Sequence, residues 1–331
     1  MLNSKKEDFL KYLEEKNIII TSHNLVDIDG LVSGIALKYC FEKYFPNQNI
    51  QLTFSGLSKH TKSFITKFSG KFPNFNFSFQ NHVELSDFDV IVIADSNNLD
   101  QIMLFNNLDL DIPFIFIDHH LNLQKNYPSN NSSHNLIFDN YSSTSEIVLE
   151  LFDDCNIKLP IQYKYLLVSA ILTDSGFLKY GNTGTVKNLY DILQDQIEIQ
   201  DVLPMLEREI DISEKIARIK ALQRVKLIRI NNWLIGLSHL SSFSASAASI
   251  LTKVGFDIGI VVSEDKSDYR ITTRAKKQVC LKTGLHLGKI ISEINNVNGG
   301  GHDGAATLNG KNDVEEILNQ LIDKIKETLI N

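Results

Sequence analysis

Cysteine and long apolar runs are both scarce in this sequence, and each scarcity excludes a class of protein. The 331 residues include three cysteines, Cys40, Cys155 and Cys280, which form no CxxC pair and cannot all be paired within one chain. A reducing, cytoplasmic setting is therefore expected. No uninterrupted apolar run approaches the roughly 18 residues that a membrane-spanning helix needs. Residues 1–17 are typical of a charged amphipathic helix rather than a secretory signal, so we expect no membrane partner.

Positive charge is also in short supply, since the formal net charge is −7 at pH 7. This argues against binding to long duplex nucleic acid, whose phosphate backbone demands a large basic surface. Residues 1–223 hold 19 Lys and Arg against 29 Asp and Glu, whereas residues 224–331 hold 14 against 11. The acidic part is suited to cations and the basic part to an anionic substrate. Two differently solvated surfaces explain the same charges equally well.

The pattern of apolar residues in the first half predicts an α/β domain. Runs typical of buried strands alternate with helical periodicity, as in a mainly parallel sheet flanked by helices. The predicted strands are residues 17–22, 90–94 and 113–117, and the predicted helices are residues 30–45, 144–153 and 163–172. Ser143 to Glu146 fits a capping box that opens the helix at 144–153. Residues 122–135 are predicted to form a polar loop.

From Arg224 the pattern restarts and predicts a second, smaller α/β domain. Four strand-like runs, a helix near residues 243–254 and a terminal helix make up this part. Apolar residues of the terminal helix recur at helical spacing and are predicted to be buried: Val314, Ile317, Leu318, Leu321, Ile322 and Ile325. A Gly- or Ser-rich linker is absent, so we expect a helical connection over 196–223, where Pro204 marks a break.

Four segments place acidic or imidazole side chains at the end of an apolar stretch. They contain His23, Asp27 and Asp29; Asp95; Asp118, His119 and His120; and Asp174. Because ligands of a parallel sheet bind outside the carboxyl ends of its strands, these segments can converge on one site. Each has a plainer explanation when taken singly, with Asp27 as a helix N-cap, Asp95 as a turn former and Asp174 as a polar helix end.

The residue types in these segments favour metal binding. Asp27 and Asp29 point the same way in an extended segment, and two adjacent histidines cannot both be packed unless their ring nitrogens find partners. A carboxylate at a helix C-terminus, as predicted for Asp174, faces an unfavourable dipole that a cation would offset. Oxygen and imidazole ligands without thiolates suit Mn²⁺ first, with Mg²⁺, Co²⁺ or Zn²⁺ as alternatives. Four carboxylates match two divalent cations and would repel one another without them.

Anion-binding residues are predicted in the second domain. Three glycines precede a histidine there: Gly299, Gly300, Gly301 and His302. Glycine lets backbone N–H groups approach an anion closely, and the histidine can donate to a phosphate. Arg270 and Arg274 share one face of a predicted strand and could clamp a phosphate. A solvated basic strand followed by a glycine turn is the alternative.

The segments HNLVDID, VIVIADS, IDHH and ILTDSGF resemble the four motifs of the DHH phosphoesterase superfamily, in the same order and spacing. The GGGH run at 299–302, followed by Gly304, Ala305 and Ala306, resembles an element of the DHHA1 domain. This resemblance covers nearly the whole chain and points to the oligoribonuclease (nanoRNase) and pAp-phosphatase branch. It implies a DHH catalytic domain over 1–195, a helical linker over 196–223 and a DHHA1 substrate-binding domain over 224–331.

The resemblance also implies a role for each residue. One metal ion would be bound by His23, Asp27 and Asp95, and the other by Asp29, Asp95, His119 and Asp174. Asp95 would bridge the two ions, Asp118 would orient a histidine, and His120 would face the substrate phosphate. A hydroxide generated by the metal pair would attack phosphorus in line, and His120 is a candidate to protonate the leaving oxygen.

The implied substrates are short oligonucleotides or linear dinucleotides, cut to mononucleotides, with 3′-phosphoadenosine 5′-phosphate (pAp) as an additional substrate. Two alternatives stay open. Thr273 to Gln278 partly resembles the basic C-terminal motif of manganese-dependent inorganic pyrophosphatases, although those enzymes lack the GGGH element. A nucleotide-binding regulator without activity is the other, although such a protein would be expected to lose a metal ligand. The oligomeric state stays open, with a homodimer as one candidate.

Overall fold

The computed structural model describes residues 2–80, 83–102, 112–120, 134–194, 197–207, 210–266, 268–295 and 297–330. The chain divides into two compact units, Met1–Glu209 and Ile210–Asn331, each with a hydrophobic core of its own. The division falls inside the segment predicted to be a helical linker. Helices lie on both sides of it, at Ile199–Leu206 and Ile212–Arg224. Most of the polar loop predicted over 122–135 lies outside the described residues.

A five-stranded parallel sheet forms the centre of the first unit, as the buried apolar runs predict. The strands follow the spatial order β2-β1-β3-β4-β5. Their bounds are β1 (Ile18–Thr21), β2 (Ile50–Leu52), β3 (Val90–Ala94), β4 (Phe114–Asp118) and β5 (Leu136–Ile137). Every described pair in this sheet is parallel, so the carboxyl ends of β1, β3 and β4 lie side by side along one edge.

One face of this sheet shares a core with helices of the first unit. The face with Ile91, Ile93 and Phe116 packs against described residues outside the α-helices. Seven α-helices lie in the described part of this unit. They are α1 (Leu2–Leu13), α2 (Ile28–Tyr44), α3 (Lys59–Lys71), α4 (Thr144–Asp154), α5 (Ile161–Asp174), α6 (Thr183–Leu193) and α7 (Ile199–Leu206). Twelve of the 17 residues of α2 are buried, which is typical of a helix that is covered on most sides. It packs against α4 and α5. This central helix begins at the sheet edge where β1, β3 and β4 end.

The capping box predicted at Ser143 to Glu146 is wrong in its details. Ser143 is the N-cap residue of α4, but its side chain makes no capping hydrogen bond. Glu146 Oε1 instead accepts hydrogen bonds from the Ser142 N–H at 3.0 Å and the Ser142 hydroxyl at 2.6 Å. Thr185 and Asn188 of α6 also donate to this carboxylate. Glu146 is therefore held by residues of α6, and α4 is capped from elsewhere, as described below.

A six-stranded sheet forms the second unit, with strand order β10-β11-β9-β8-β7-β6. Its strands are β6 (Lys226–Ile230), β7 (Trp233–His239), β8 (Ile258–Asp265), β9 (Asp268–Ala275), β10 (Asn298–Gly301) and β11 (Ala305–Lys311). Neighbouring strands are antiparallel except for β7 and β8, which are joined by a crossover helix. The predicted α/β class is therefore confirmed for both units.

Helices cover both faces of the second sheet. They are α8 (Ile212–Arg224), α9 (Ser244–Val254), α10 (Lys277–Thr283), α11 (Leu287–Ser292) and α12 (Val314–Ile330). Small residues of α8 and α9 pack on the Val261 face, and α10, α11 and α12 pack on the opposite face. The apolar positions predicted for the terminal helix are buried in α12, except that Val314 is partly buried. Among the helices of the described ranges, none combines the length and apolar character needed to cross a membrane.

Candidate metal centre and substrate residues

The segment between β1 and α2 carries the first group of predicted site residues. Asp27 is the N-cap of α2, and its Oδ1 accepts a hydrogen bond from the Gly30 N–H at 3.0 Å. His23 Nε2 lies 3.8 Å from the same oxygen and 3.7 Å from Asp95 Oδ2. Burial works to raise the pKa of Asp27, but His23 and the Gly30 N–H hold it below its usual value. Asp27 is therefore both a helix cap and a member of the acidic cluster.

Asp95 follows β3 at the centre of the cluster and is 4% exposed. Its φ of +58° lies in the left-handed region, where aspartate is tolerated better than most residues. The first turn of α2 approaches it closely at Gly30. A Cβ at position 30 would lie 2.5 Å from Ser22 Oγ and 3.3 Å from Asp95 Oδ2. Glycine is therefore required at position 30 by this close approach, a need that the sequence pattern did not reveal.

The Asp-His-His segment lies at the end of β4. Asp118 Oδ1 accepts a hydrogen bond from the His119 N–H at 2.9 Å and lies 2.8 Å from His120 Nδ1. The His120 side chain is 58% exposed, whereas that of His119 is 12% exposed. The hydrogen bond with Asp118 raises the pKa of His120. His119 thus faces the cluster, and His120 is open to a substrate.

Asp174 is the last residue of α5 and completes the set. Its Oδ2 lies 2.9 Å from His119 Nε2. Burial works to lower the pKa of His119, but Asp174, Asp29 and Asp95 outweigh this effect and raise it to about 9. An acidic side chain at the C-terminal end of a helix meets the negative end of the helix dipole. Here the imidazole of His119 offsets this unfavourable interaction.

All eight residues predicted from the four segments come together. Their ligand atoms form three overlapping groups, each with all its atoms within 4.8 Å of one another. The groups are His23, Asp27 and Asp95; Asp29, His119 and Asp174; and Asp95, Asp118, His119 and His120. Asp95 and His119 each belong to two groups, so the three sets form one continuous cluster.

The carboxylates of Asp29 and Asp95 are harder to ionise than usual, because they are buried and lie near other carboxylates. Burial, followed by Asp29, Asp27 and Asp174, raises the pKa of Asp95 well above its usual value. Burial and then Asp174 raise the pKa of Asp29 to about 7. Desolvation and like charge are the two effects that disfavour an ionised carboxylate. A bound cation would reverse both effects, so the cluster has the electrostatic character of a metal site.

The donor set and its spacing also fit metal ions. Asp118 Oδ2 and His119 Nε2 are buried without a hydrogen-bond partner of good geometry. His119 Nε2 and His120 Nδ1 lie 3.8 and 3.9 Å from Asp95 Oδ1, which is too long for hydrogen bonds. Two ligands of one ion lie no farther apart than twice a metal–ligand bond of about 2.0–2.2 Å, and the His119 separation satisfies this limit. Oxygen and imidazole donors without sulfur suit hard or borderline divalent ions.

Thr144, at the start of α4, contacts two of the carboxylates and was not singled out from the sequence. Its N–H donates to Asp29 Oδ2 at 2.7 Å, and the Ser145 N–H donates to Asp29 Oδ1 at 3.0 Å. The Thr144 hydroxyl donates to Asp95 Oδ1 at 3.3 Å. Asp29 therefore supplies the cap of α4 that Ser143 does not.

The residues predicted to bind substrate all lie in the second unit. Gly299, Gly300 and Gly301 form most of β10 and are exposed, as is His302. Gly301 has a φ of +155°, and a Cβ there would lie 2.2 Å from the Ala305 carbonyl oxygen, so the tight β10–β11 turn requires glycine. Arg274 pairs in register with Ala305, next to this turn.

Arg270 and Arg274 lie on the same face of β9 but have different surroundings. Arg270 Nε donates to Asn309 Oδ1 at 2.9 Å, and this arginine lines a cavity of about 500 Å³ beside the first turn of α9. Arg274 donates to the neighbouring Thr273 carbonyl oxygen at 2.9 Å. The two arginines are four residues apart along a strand, so their backbones are separated by about 13 Å. A single phosphate clamp formed by both stays a prediction.

Two protein-family models match the chain, one in each of its two units. The family model described as the DHH family, N-terminal domain, matches residues 17–171, and that of the DHHA1 domain matches residues 241–331. The first match ends just before Asp174. An uncharacterized protein of Methanocaldococcus jannaschii is 27% identical over 322 residues, covering 96% of this chain and 94% of its own.

Two solved structures are similar in fold. An exopolyphosphatase-related protein from Bacteroides fragilis matches with a TM-score of 0.65 and 19% identity, over 99% of this chain and 98% of its own. RecJ from Thermus thermophilus, solved in complex with Mn²⁺, matches with a TM-score of 0.50 and 12% identity. That match covers 99% of this chain and 54% of RecJ. At identities this low, the similarity shows a shared fold and nothing about activity.

Proposed function

Since this chain belongs to the DHH family of phosphoesterases and carries a DHHA1 domain, we propose that it hydrolyses short oligonucleotides or linear dinucleotides to mononucleotides. The proposal includes two bound divalent metal ions, with Mn²⁺ as the first choice and Mg²⁺, Co²⁺ or Zn²⁺ as alternatives. 3′-Phosphoadenosine 5′-phosphate is proposed as an additional substrate.

One observation carries the metal-dependent part of this proposal. Asp95 is shared between two groups of ligand atoms and directs one oxygen towards His23 and the other towards His119, the arrangement expected of a carboxylate that bridges two ions. Divalent ions bound there would supply the Lewis acidity that polarises a phosphoester and lowers the pKa of water. Every ligand that the family resemblance implies is present in the sequence, which argues against an inactive regulator as the alternative.

His120 is the group that we propose to act on the substrate. Asp118 contacts its Nδ1 and thereby leaves Nε2 as the nitrogen available to a phosphoryl or leaving oxygen. The hydrogen bond with Asp118 raises the pKa of His120 and so favours the protonated ring more than in a free imidazole. A protonated His120 would neutralise growing charge on the phosphoryl oxygens and donate its Nε2 proton to the leaving oxygen.

The second unit is proposed to bind substrate phosphates. The exposed glycines of β10 offer backbone N–H groups, and His302 and Arg274 lie beside the same turn. Such a site, with one arginine and one histidine, suits the two or three phosphates of a dinucleotide better than a long polymer. Arg270 is proposed as a further phosphate contact on the same face of β9.

Inorganic pyrophosphate is the second candidate substrate, because Thr273 to Gln278 is a basic segment at the end of β9. One of its cations is already engaged, since Lys276 Nζ lies 3.3 Å from Asp257 Oδ1 and 3.1 Å from the Gly255 carbonyl oxygen. These contacts hold the Lys276 ammonium against the residues that precede β8, which leaves it less available to pyrophosphate. We therefore rank pyrophosphate below short oligonucleotides.

A substrate panel tests the proposal. The Mn²⁺-supplemented protein is given 5′-phosphorylated di- and trinucleotides, cyclic dinucleotides, pAp and pyrophosphate, and the products are separated by chromatography. We expect mononucleotides from the linear di- and trinucleotides as the fastest reaction. Dominant release of phosphate from pyrophosphate would replace the proposed substrate class, and no turnover of any phosphoester would contradict the proposed activity.

A further inference from the structure

Thr144 links two carboxylates of the metal cluster that belong to different groups of ligand atoms. Asp29 is grouped with His119 and Asp174, whereas Asp95 is grouped with His23 and Asp27. Thr144 donates its backbone N–H to Asp29 Oδ2 and its hydroxyl to Asp95 Oδ1. One residue therefore contacts both carboxylates at once.

The position of Thr144 is fixed by the elements around it. It is fully buried and forms the first turn of α4, where backbone N–H groups have no partner within the helix. Both oxygens of Asp29 accept from this turn, so the carboxylate is held by two backbone donors at the positive end of a helix dipole. Ser145 Oγ lies 3.1 Å from Ser33 Oγ, which ties α4 to α2.

The Thr144 hydroxyl donates a hydrogen bond to the other carboxylate, that of Asp95. The imidazole nitrogens that face Asp95 lie at 3.7 to 3.9 Å, beyond hydrogen-bond distance. The hydroxyl, at 3.3 Å, bonds Oδ1 and leaves Oδ2 to face His23. A carboxylate with one oxygen held by a hydroxyl donor keeps its orientation while its remaining lone pairs stay available to a cation.

From these contacts we infer that Thr144 is a positioning residue, which sets the orientation of Asp29 and Asp95 relative to each other for divalent metal binding. The inference rests on the proposed metal centre and adds to it a residue outside the four acidic segments. It predicts that the hydroxyl, rather than the bulk of the side chain, controls the affinity for metal.

Direct metal binding, with activity measured separately, tests the inference. Mn²⁺ is titrated into the metal-free full-length chain, and free Mn²⁺ is followed by electron paramagnetic resonance. Thr144→Val keeps the shape and the backbone N–H but lacks the hydroxyl, and we expect it to bind Mn²⁺ about tenfold more weakly. Thr144→Ser retains the hydroxyl and is expected to bind within about twofold of the natural chain.

Thr185→Val is the matched control. Thr185 is also fully buried, and its hydroxyl donates to a carboxylate, Glu146 Oε1 at 3.2 Å, that lies outside the three groups. We expect this variant to lose stability on unfolding in urea and to keep its Mn²⁺ affinity. If both valine variants lost affinity equally, general destabilisation would explain the effect and the inference would be overturned.

The remaining outcomes separate the inference from the proposed function. Unchanged Mn²⁺ affinity in Thr144→Val would overturn the positioning role and leave the metal centre intact. A natural chain that binds no Mn²⁺ would overturn the metal centre itself. Thr144→Ala, which also lacks the hydroxyl, is measured in parallel and must show the same loss, so that poor folding of the valine variant does not remove the test.

Discussion

Asp118 Oδ1 and His120 Nδ1 lie 2.8 Å apart at the end of β4, with the carboxylate fully buried and the imidazole mostly exposed. The pair therefore connects a buried carboxylate with an imidazole that a substrate can reach. It fixes which ring nitrogen of His120 is left for the substrate, and it raises the pKa of that ring.

The pair predicts a change in the pH profile when Asp118 is replaced. Asp118→Asn removes the charge that favours protonated His120, so the alkaline limb of kcat is expected to move to lower pH. We also expect kcat to fall by about 10- to 100-fold near pH 8. His120→Asn should lose the alkaline limb altogether. An unmoved limb in Asp118→Asn would show that another group titrates there.

Replacing Asp95 is expected to separate stability from metal binding. Asp95→Asn removes a buried charge that Asp29, Asp27 and Asp174 oppose, and asparagine also tolerates the left-handed backbone at this position. The metal-free variant should therefore be at least as stable in urea as the natural chain at about pH 8. Its Mn²⁺ binding and its activity should be lost.

The exposed Asp100 supplies a control for this change. Asp100→Asn removes the same charge from a residue outside the three groups of ligand atoms, and we expect it to leave stability, Mn²⁺ binding and activity unchanged. Retained activity of Asp95→Asn in Mn²⁺ would contradict a shared ligand at this position.

The stability of the metal-free protein should fall as pH rises. Folded Asp29 holds its proton up to a pKa of about 7, against 3.8 ordinarily, so its contribution is lost as pH rises through about 7. Folded His119 has a pKa of about 9 against 6.5, and its contribution, complete below 6.5, is lost as pH rises through about 9. Urea unfolding in a chelator between about pH 5 and pH 9 measures this.

Metal should reverse the trend, because ligands must lose their protons to bind a cation. The stabilisation by Mn²⁺ is expected to grow over the same range of pH. Asp29→Asn should show a shallower slope when metal-free. A metal-free natural chain whose stability rose with pH would contradict the assigned proton binding.

Adding one methyl group at Gly30 should damage the centre. A Cβ there would meet Ser22 Oγ at 2.5 Å, next to Asp95 Oδ2, and overpacking of this kind costs about 1–3 kcal/mol. Gly30→Ala is therefore expected to lower both stability and Mn²⁺ affinity. Gly70→Ala is the control, because Gly70 lies in α3 with open space around it. We expect this variant to be as stable as the natural chain or more stable by up to about 1 kcal/mol. Equal behaviour of the two variants would contradict the close approach.

Substitution of Arg274 should act on substrate binding alone. Arg274→Gln is expected to raise KM for a dinucleotide by about tenfold, as expected for the loss of a charge-assisted contact, with kcat and Mn²⁺ affinity little changed. Arg229→Gln removes an equal charge from the exposed edge strand β6 and should leave KM unchanged. Steady-state kinetics measures both variants. A fall in kcat without a change in KM would contradict the assignment.

The fold and the eight cluster residues were predictable because they depend on local patterns. The apolar runs of β3 and β4 lead directly into Asp95 and Asp118, and β1 is followed within eight residues by His23, Asp27 and Asp29. Parallel pairing brings such strand ends together. Short strands such as β2, with three residues, give too brief an alternation to be read from the sequence.

Contacts between distant segments were not predictable. The cap of α4 comes from Asp29, 115 residues earlier in the chain, and displaces the local capping box that the sequence favours. The need for glycine at position 30 depends on the approach of Ser22 and Asp95, and no local signal carries it. The role of Thr144 likewise arises from tertiary packing alone.

The most direct test of the shared metal centre is the number of Mn²⁺ ions bound per chain and their magnetic coupling. The metal-free protein is dialysed to equilibrium against Mn²⁺, bound metal is counted by mass spectrometry, and spin coupling is read by electron paramagnetic resonance. The account predicts two coupled ions in the natural chain and loss of the coupled signal in Asp95→Asn. Two uncoupled ions, or no bound ion, would contradict a centre in which the four segments share one pair of metals.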